Sequence, residues 1–335
     1  MTILMWIVIF VASLIVMVKG ADWLLESAEK IGVSIGFSPF IVGVLLVGVG
    51  TSFPELISSI VAAIEGVTEI IPANAIGSNI ANILLVIGIA SIVSGKLVVT
   101  KNLIDLDLPL VALSTVVLFM VLRDGVITRP ESLFLVFGYL VYFMYVCNEE
   151  RKKPDATKHD IVEVIDESEG DEHAEPVVGD AILATPTHIF REIILLLVGA
   201  GALALGAKYL IDSVVALSQL FAISPGVISL AAVAFGTSLP EILVSVKAAL
   251  QQKSEVAVGN IFGSNVFNIL AVIGFPGLFV HIHADEQTMT LGMPVLIAAT
   301  ALFIISGISK RIHNWEGWMY ITIYSIFIMK LFGVV

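Results

Sequence analysis

The chain has a single cysteine, Cys147, in 335 residues, so it can form no disulfide within itself and no cysteine-rich metal centre. Charge is scarce too: 14% of its residues are Asp, Glu, Lys or Arg, against roughly a quarter in an ordinary soluble domain. The net charge of −12 is not spread evenly, because residues 149–180 hold twelve acids and four bases. An acidic chain of this kind is expected to have no nucleic-acid partner. The acidic stretch mixes Glu, Asp, Lys, Pro and Gly, cannot bury enough apolar area to fold alone, and reads as a solvated linker. It lacks an Asp-x-Asp-x-Asp-Gly pattern, so no calcium-regulated loop is expected there. At the amino terminus no positive residue precedes the first apolar run and no small-x-small cleavage site follows it. That run is expected to be a retained helix, not a signal peptide.

What the chain has in abundance is hydrophobic residues, 58% of the total. Runs near the ~20 residues needed to cross a bilayer recur from end to end. They predict ten spans, at 3–18, 37–64, 70–94, 106–122, 131–147, 188–218, 223–250, 255–280, 288–307 and 315–333. The second, sixth and seventh are long enough to be tilted, bent or broken. With the amino terminus outside, thirteen of the seventeen Lys and Arg residues fall on the inner side, and the acidic linker is cytoplasmic.

Shifting the chain by 186 residues superposes its two halves without a gap. Ser38-Pro39 meets Ser224-Pro225, Gly50-Thr51-Ser52 meets Gly236-Thr237-Ser238, and Pro54-Glu55 meets Pro240-Glu241. Asn74 meets Asn260, Gly77-Ser78-Asn79 meets Gly263-Ser264-Asn265, Asn82 meets Asn268, and Gly88 meets Gly274. Five spans per half is an odd number, so the second copy enters the membrane from the opposite side. The expected fold is an all-α integral membrane protein of ten transmembrane helices in two inverted five-helix repeats. Residues 1–148 and 188–335 are the repeats, and 149–187 the linker between them. Inverted repeats bring their shared motifs together near the bilayer midplane, where secondary transporters hold ions.

Glu55 and Glu241 fall inside apolar spans, where a lone carboxylate costs on the order of 2.5–3.5 kcal/mol. Neither motif contains a Lys or Arg to offset this, and a bound cation would. Thr51 and Glu55 are four apart, as are Thr237 and Glu241, so each pair shares a helix face. Pro54 and Pro240 cannot donate to the carbonyls of Gly50 and Gly236, so a kink or unwinding is expected that frees main-chain oxygens. The following span of each half repeats the spacing with Ser78 and Asn82, and with Ser264 and Asn268. Gly77 and Gly263 are expected to let helices approach closely. This is a hard-oxygen set. Calcium takes six to eight such ligands, which two bidentate carboxylates and two threonine carbonyls would largely supply, and sodium prefers the same donors.

Other polar residues have blander readings. A single Ser, Thr or Asn in a membrane helix more often bonds a neighbouring helix than an ion. Asp22, Glu26 and Glu29 read as a solvated or interfacial face, Asp105 and Asp107 as an interface, and His281 and His283 with Asp285 and Glu286 as a solvated loop.

The pair Gly-Thr-Ser-Phe-Pro-Glu at 50–55 and Gly-Thr-Ser-Leu-Pro-Glu at 236–241, each followed by Gly-Ser-Asn, resembles the two alpha-repeats of the sodium/calcium exchanger family, within the calcium/cation antiporter superfamily. The resemblance implies that Glu55 and Glu241 hold calcium with main-chain oxygens of Thr51 and Thr237. It implies sodium positions built from Ser52, Ser78, Ser238 and Ser264 with main-chain help from Gly48 and Ala234, and a central ring completed by Asn82 and Asn268. Many microbial and potassium-dependent relatives carry Asp at the position of Asn268, so the resemblance argues against potassium cotransport. It also implies a fixed core of spans 2, 3, 7 and 8, with spans 1 and 6 sliding across it. The expected activity is exchange of sodium for calcium across the cytoplasmic membrane by alternating access, with no cofactor, no covalent catalysis and a monomeric chain in the lipid bilayer. A proton/calcium antiporter and, from a different class, a cation channel are the alternatives.

Overall fold

A run of apolar residues satisfies its own backbone in lipid by coiling into a helix. The computed structural model, which describes residues 3–98, 108–151, 186–220 and 238–334, is helical almost throughout. We label the helices α1 (Ile3–Ile35), α2 (Pro39–Glu65), α3 (Ile70–Ser94), α4 (Leu108–Val121), α5 (Arg129–Arg151), α6 (Pro186–Leu220), α7 (Leu239–Leu250), α8 (Ser254–Gly277), α9 (Thr288–Ile308) and α10 (Asn314–Leu331). Seven of these described helices, α1, α2, α3, α5, α6, α8 and α9, are long and apolar enough to cross a membrane. Thr237, Ala234, Asp105, Asp107 and most of the linker lie outside the described residues, as does the first part of the seventh expected span.

Burial sorts the helices into a centre and a rim. The most apolar window of α8 is 100% buried, that of α3 78% and that of α2 61%, against 17% for α1, 22% for α6 and 28% for α5. The centre is close-packed because glycines bring backbones together. On α2, Gly43 and Gly48 are five apart, which would put them on different faces of a regular helix. The turn Val42–Val47 is a π-helix, and Gly48 N–H donates to the Gly43 carbonyl across it, so both glycines line one face. They meet Gly259 and Gly263 of α8, and a methyl group added at Gly263 would collide with the carbonyl of Val44. None of the described residues comes within 4 Å of a Cβ built at Gly77, and the position that the repeat pairs with Val44, residue 230, lies outside the described residues.

On the rim, α1 and α6 lie against each other through Gly20 and Gly199. A Cβ at Gly20 would sit 2.9 Å from the Gly199 carbonyl, and one at Gly199 2.8 Å from the Gly20 carbonyl. The helix α1 corrects the expectation of a first span ending at residue 18. It continues unbroken to Ile35, and at ~1.5 Å per residue its 33 residues exceed the ~30 Å hydrocarbon core, so it must tilt or extend beyond it. Two of its acids are therefore not a plain solvated face. Asp22 pairs with Lys247 of α7, and Glu29 with Lys253, which precedes α8, at 2.6 Å, while Glu26 is exposed.

Two short antiparallel ladders tie the ends of these helices. In one, β1 (Lys96–Val98) pairs with β4 (Arg311–His313); in the other, β2 (Val126–Ile127) pairs with β3 (Ile282–His283). Strands of two or three residues are too short to produce a period in the sequence. Exposed His283 takes part in the second ladder, and Asp285 caps the start of α9 by accepting from the Thr288 N–H at 2.8 Å.

The substitution Gly263→Ala is expected to force α2 and α8 apart and lower the apparent melting temperature in detergent by several degrees, the effect of an overpacking cost of about 1–3 kcal/mol. Gly201→Ala, at an exposed site with no atom within 4 Å of the new methyl, is expected to leave it unchanged. Equal melting curves for the two would show that the glycine contact does not hold the centre together.

Candidate functional site

The two motif glutamates come from helices that start in the same way. In α2 the backbone departs from helical geometry at Ser52 (φ −89°, ψ 6°), immediately before Phe53-Pro54, and in the second half Ser238 (φ −88°, ψ 1°) stands before Leu239-Pro240. The expected interruption is thus a one-residue bend in α2, and Ser52 N–H still reaches the Gly48 carbonyl at 3.2 Å. Each serine is followed by a helix that carries its glutamate in the first turn, with the side chain turned inward. Glu55 is 0% exposed and Glu241 1%.

The structure brings these side chains together. Ser52 Oγ on α2 donates to Glu241 Oε1 on α7 at 3.1 Å, and the two carboxylates lie close enough for their charges to repel. Among the described residues, Glu55 Oε1, Glu55 Oε2 and Glu241 Oε2 have no hydrogen-bond partner. Neither glutamate forms an ion pair with a described Lys or Arg, and Lys247, six residues after Glu241, is taken by Asp22. Buried polar groups nearly always find a partner, so three oxygens of two neighbouring carboxylates with none is an exceptional concentration of unmet charge.

The other expected residues that are described lie buried on neighbouring helices. Ser264 Oγ on α8 lies 3.1 Å from the Gly48 carbonyl and 3.4 Å from Thr51 Oγ1, so three expected positions meet at the α2–α8 contact. Ser78 on α3 and Ser238 before α7 are buried, and Ser238 Oγ has no partner among the described residues. Asn82 lies on the π-helical turn Ala81–Val86 of α3, and Asn268 opens the π-helical turn Asn268–Val272 of α8. Both are 0% exposed. Neither side-chain polar atom of Asn82 has a partner among the described residues, and Asn268 Oδ1 has none. All these unpartnered atoms except the Asn82 amide nitrogen are oxygens. As a donor set they fit a hard cation such as calcium or sodium, and they offer no sulfur or imidazole ligand to a softer metal.

Four residues that organise this region were given no role by the sequence. Asn260 Nδ2 donates to Ser245 Oγ at 2.8 Å, and its Oδ1 accepts from Thr51 Oγ1 at 3.1 Å. Asn79 Nδ2 donates to the Asn265 carbonyl at 3.0 Å, and Asn79 Oδ1 accepts from Asn268 Nδ2 at 3.1 Å. The signal that could have found them is the repeat itself, in which Asn74 matches Asn260, Asn79 matches Asn265, and Ser59 matches Ser245.

Comparison with known proteins agrees with this chemistry. A family model described as sodium/calcium exchanger protein matches residues 5–148 and 191–333. The sodium/calcium exchanger MaX1 of Methanosarcina acetivorans is 30% identical over 97% of this chain and 98% of its own length. The inner membrane protein YrbG of Escherichia coli is 29% identical over 89% of this chain and 87% of its own. The solved structure of the sodium-calcium exchanger NCX_Mj soaked with zero Na+ and Ca2+ superposes with a TM-score of 0.80 at 26% identity, covering 98% of this chain and 100% of that one.

An unpartnered carboxylate near a second one should destabilise the protein when no cation is present. Glu55→Gln is therefore expected to raise the apparent melting temperature in chelator-treated, sodium-free detergent, since it removes a buried charge worth about 2.5–3.5 kcal/mol. A fall, as after loss of a structural ion pair, would contradict the unmet-charge description.

Proposed function

Because the chain belongs to the sodium/calcium exchanger protein family, we propose that it exchanges sodium for calcium across the cytoplasmic membrane at the site around Glu55 and Glu241. The observation that carries this reading is the pair of buried carboxylates, one from each half, with three of four oxygens unpartnered among the described residues. Two negative charges balance one divalent ion. Calcium is held by both carboxylates and by the main-chain oxygens of Thr51 and Thr237. Sodium occupies flanking positions made from Ser52, Ser78, Ser238 and Ser264 with the carbonyls of Gly48 and Ala234, and Asn82 and Asn268 complete the ring. Both ions draw on the same glutamates, so sodium entering the flanks displaces calcium from the centre. Inward sodium flow supplies the work, and no bond is made or broken.

The chain is built as ten transmembrane helices in two inverted repeats, residues 1–148 and 188–335, joined by the cytoplasmic linker 149–187. Reciprocal contacts support this arrangement. The ladder β1–β4 and the ladder β3–β2 map onto each other under the 186-residue shift, residue by residue in register. Gly88 of α3 meets Gly317 of α10, and its mate Gly274 of α8 meets Leu135 and Val136 of α5. Burial supports a fixed centre that includes α2, α3 and α8, with α1 and α6 as the pair that moves.

In proteoliposomes loaded with calcium, external sodium is expected to release it, and the double variant Glu55→Gln, Glu241→Gln to abolish release. Flux that follows a pH gradient and ignores sodium would replace sodium by protons as the coupling ion. Currents with no counter-ion requirement would replace the antiporter by a channel. For orientation, a Cys147→Ala background carrying Ser168→Cys is expected to resist a membrane-impermeant maleimide in intact cells and to react once the membrane is opened. Labelling of intact cells would invert the topology.

A further inference from the structure

Asn260 lies outside the proposed ligand set, is 0% exposed, and has both ends of its amide engaged. Donation from Nδ2 to Ser245 Oγ at 2.8 Å turns Oδ1 toward α2, because an amide has one donating and one accepting end. That oxygen lies 3.1 Å from Thr51 Oγ1 and 3.5 Å from Ser264 Oγ. Both hydroxyls also reach the Gly48 carbonyl, at 3.3 Å for Thr51 and 3.1 Å for Ser264, and they lie 3.4 Å from each other. Two hydroxyl hydrogens thus have a choice of destinations within one buried cluster.

A cation changes that choice. When it binds the Gly48 carbonyl and Ser264 Oγ, the carbonyl lone pairs face the ion, and the Ser264 hydroxyl must turn its hydrogen away to present a lone pair. In a dry interior, a hydroxyl hydrogen with no acceptor is costly. The distances make Asn260 Oδ1 the common end point: Ser264 donates to it directly at 3.5 Å or through Thr51 Oγ1, Thr51 donates to it at 3.1 Å, and Asn260 Nδ2 donates to Ser245. Without the ion, both hydroxyls can donate to the Gly48 carbonyl instead.

We infer that Asn260 is a positioning residue for sodium, the fixed acceptor toward which the Thr51 and Ser264 hydroxyls swing when a monovalent cation binds at the Gly48 carbonyl and Ser264 Oγ. This rests on the ligand reading given under the proposed function. Calcium, held by carboxylates and main-chain carbonyls, requires no hydroxyl to turn, so the effect of Asn260 is confined to sodium.

The test is a split between the two ions in reconstituted protein. Asn260→Leu is expected to raise the half-saturating sodium concentration for calcium release about three- to tenfold. The KM for calcium, read from calcium–calcium exchange in the absence of sodium, is expected to stay at the wild-type value. Ser245→Ala, which removes the anchor of the Asn260 amide, is expected to shift sodium in the same direction, and the double variant Asn260→Leu, Ser245→Ala to be no worse than Asn260→Leu alone, since both cut one relay. Should Asn260→Leu lack calcium–calcium exchange, Ser245→Ala supplies the measurement, with a smaller sodium-selective shift expected. A parallel change in both ions, additive single effects, or no sodium shift in Ser245→Ala would overturn the inference. Wild-type protein whose calcium flux ignores sodium would instead overturn the exchange reading beneath it.

Discussion

Everything in this fold answers to one electrostatic constraint: two carboxylates, Glu55 and Glu241, sit together in an apolar interior with no basic group beside them among the described residues. Such a pair repels, and water is too far to screen it. Holding it requires surroundings that cannot relax around it. The complete burial of the apolar window of α8 and the glycine contacts of Gly43 and Gly48 with Gly259 and Gly263 provide this, because backbones packed at that distance cannot shift without collision. The bend at Ser52 belongs to the same constraint. A broken helix in lipid is tolerated only where protein covers it, and Ser52 is buried, as is Ser238 at the start of α7.

The repeated sequence is not matched by a repeated hydrogen-bond pattern. Asn260 bonds Ser245 at 2.8 Å, whereas in the first half Ser59 Oγ and Asn74 Nδ2 have no partner among the described residues. Asn268 donates to Asn79 at 3.1 Å, whereas neither polar atom of Asn82 or of the Asn265 side chain has a partner among the described residues. The two halves thus share their contacts between helices but not these hydrogen bonds within the site.

The motif chemistry was legible in the sequence because it depends on residue type and spacing alone. Thr51, Ser52 and Glu55, like Ser264 and Asn268, carry oxygens at helical intervals, and a shift by 186 residues exposes their mates. Features set by partners elsewhere in the chain were not legible. The apolar run ends at residue 18, where Lys19, Asp22 and Glu29 resemble an exit from the membrane, whereas the helix persists while Lys247 and Lys253 pair with those acids. The π turns under Asn82 and Asn268 leave no residue signature, yet they decide which way those amides face.

The ion pairs of α1 also say how firmly that helix is held on this side. Asp22 and Lys247 are 25% and 23% exposed, and Glu29 and Lys253 30% and 38%, so all four remain partly hydrated. Pairs of this kind contribute about 0–1 kcal/mol each. Together they amount to little more than the thermal scale, enough to register α1 against α7 and the start of α8 but too little to lock it. A fully buried pair at the same positions would cost several kcal/mol to break and would freeze the helix in one state. The two kinds of contact therefore differ in strength. Tight glycine packing holds α2 against α8, and weak hydrated pairs join α1 to α7 and to the start of α8.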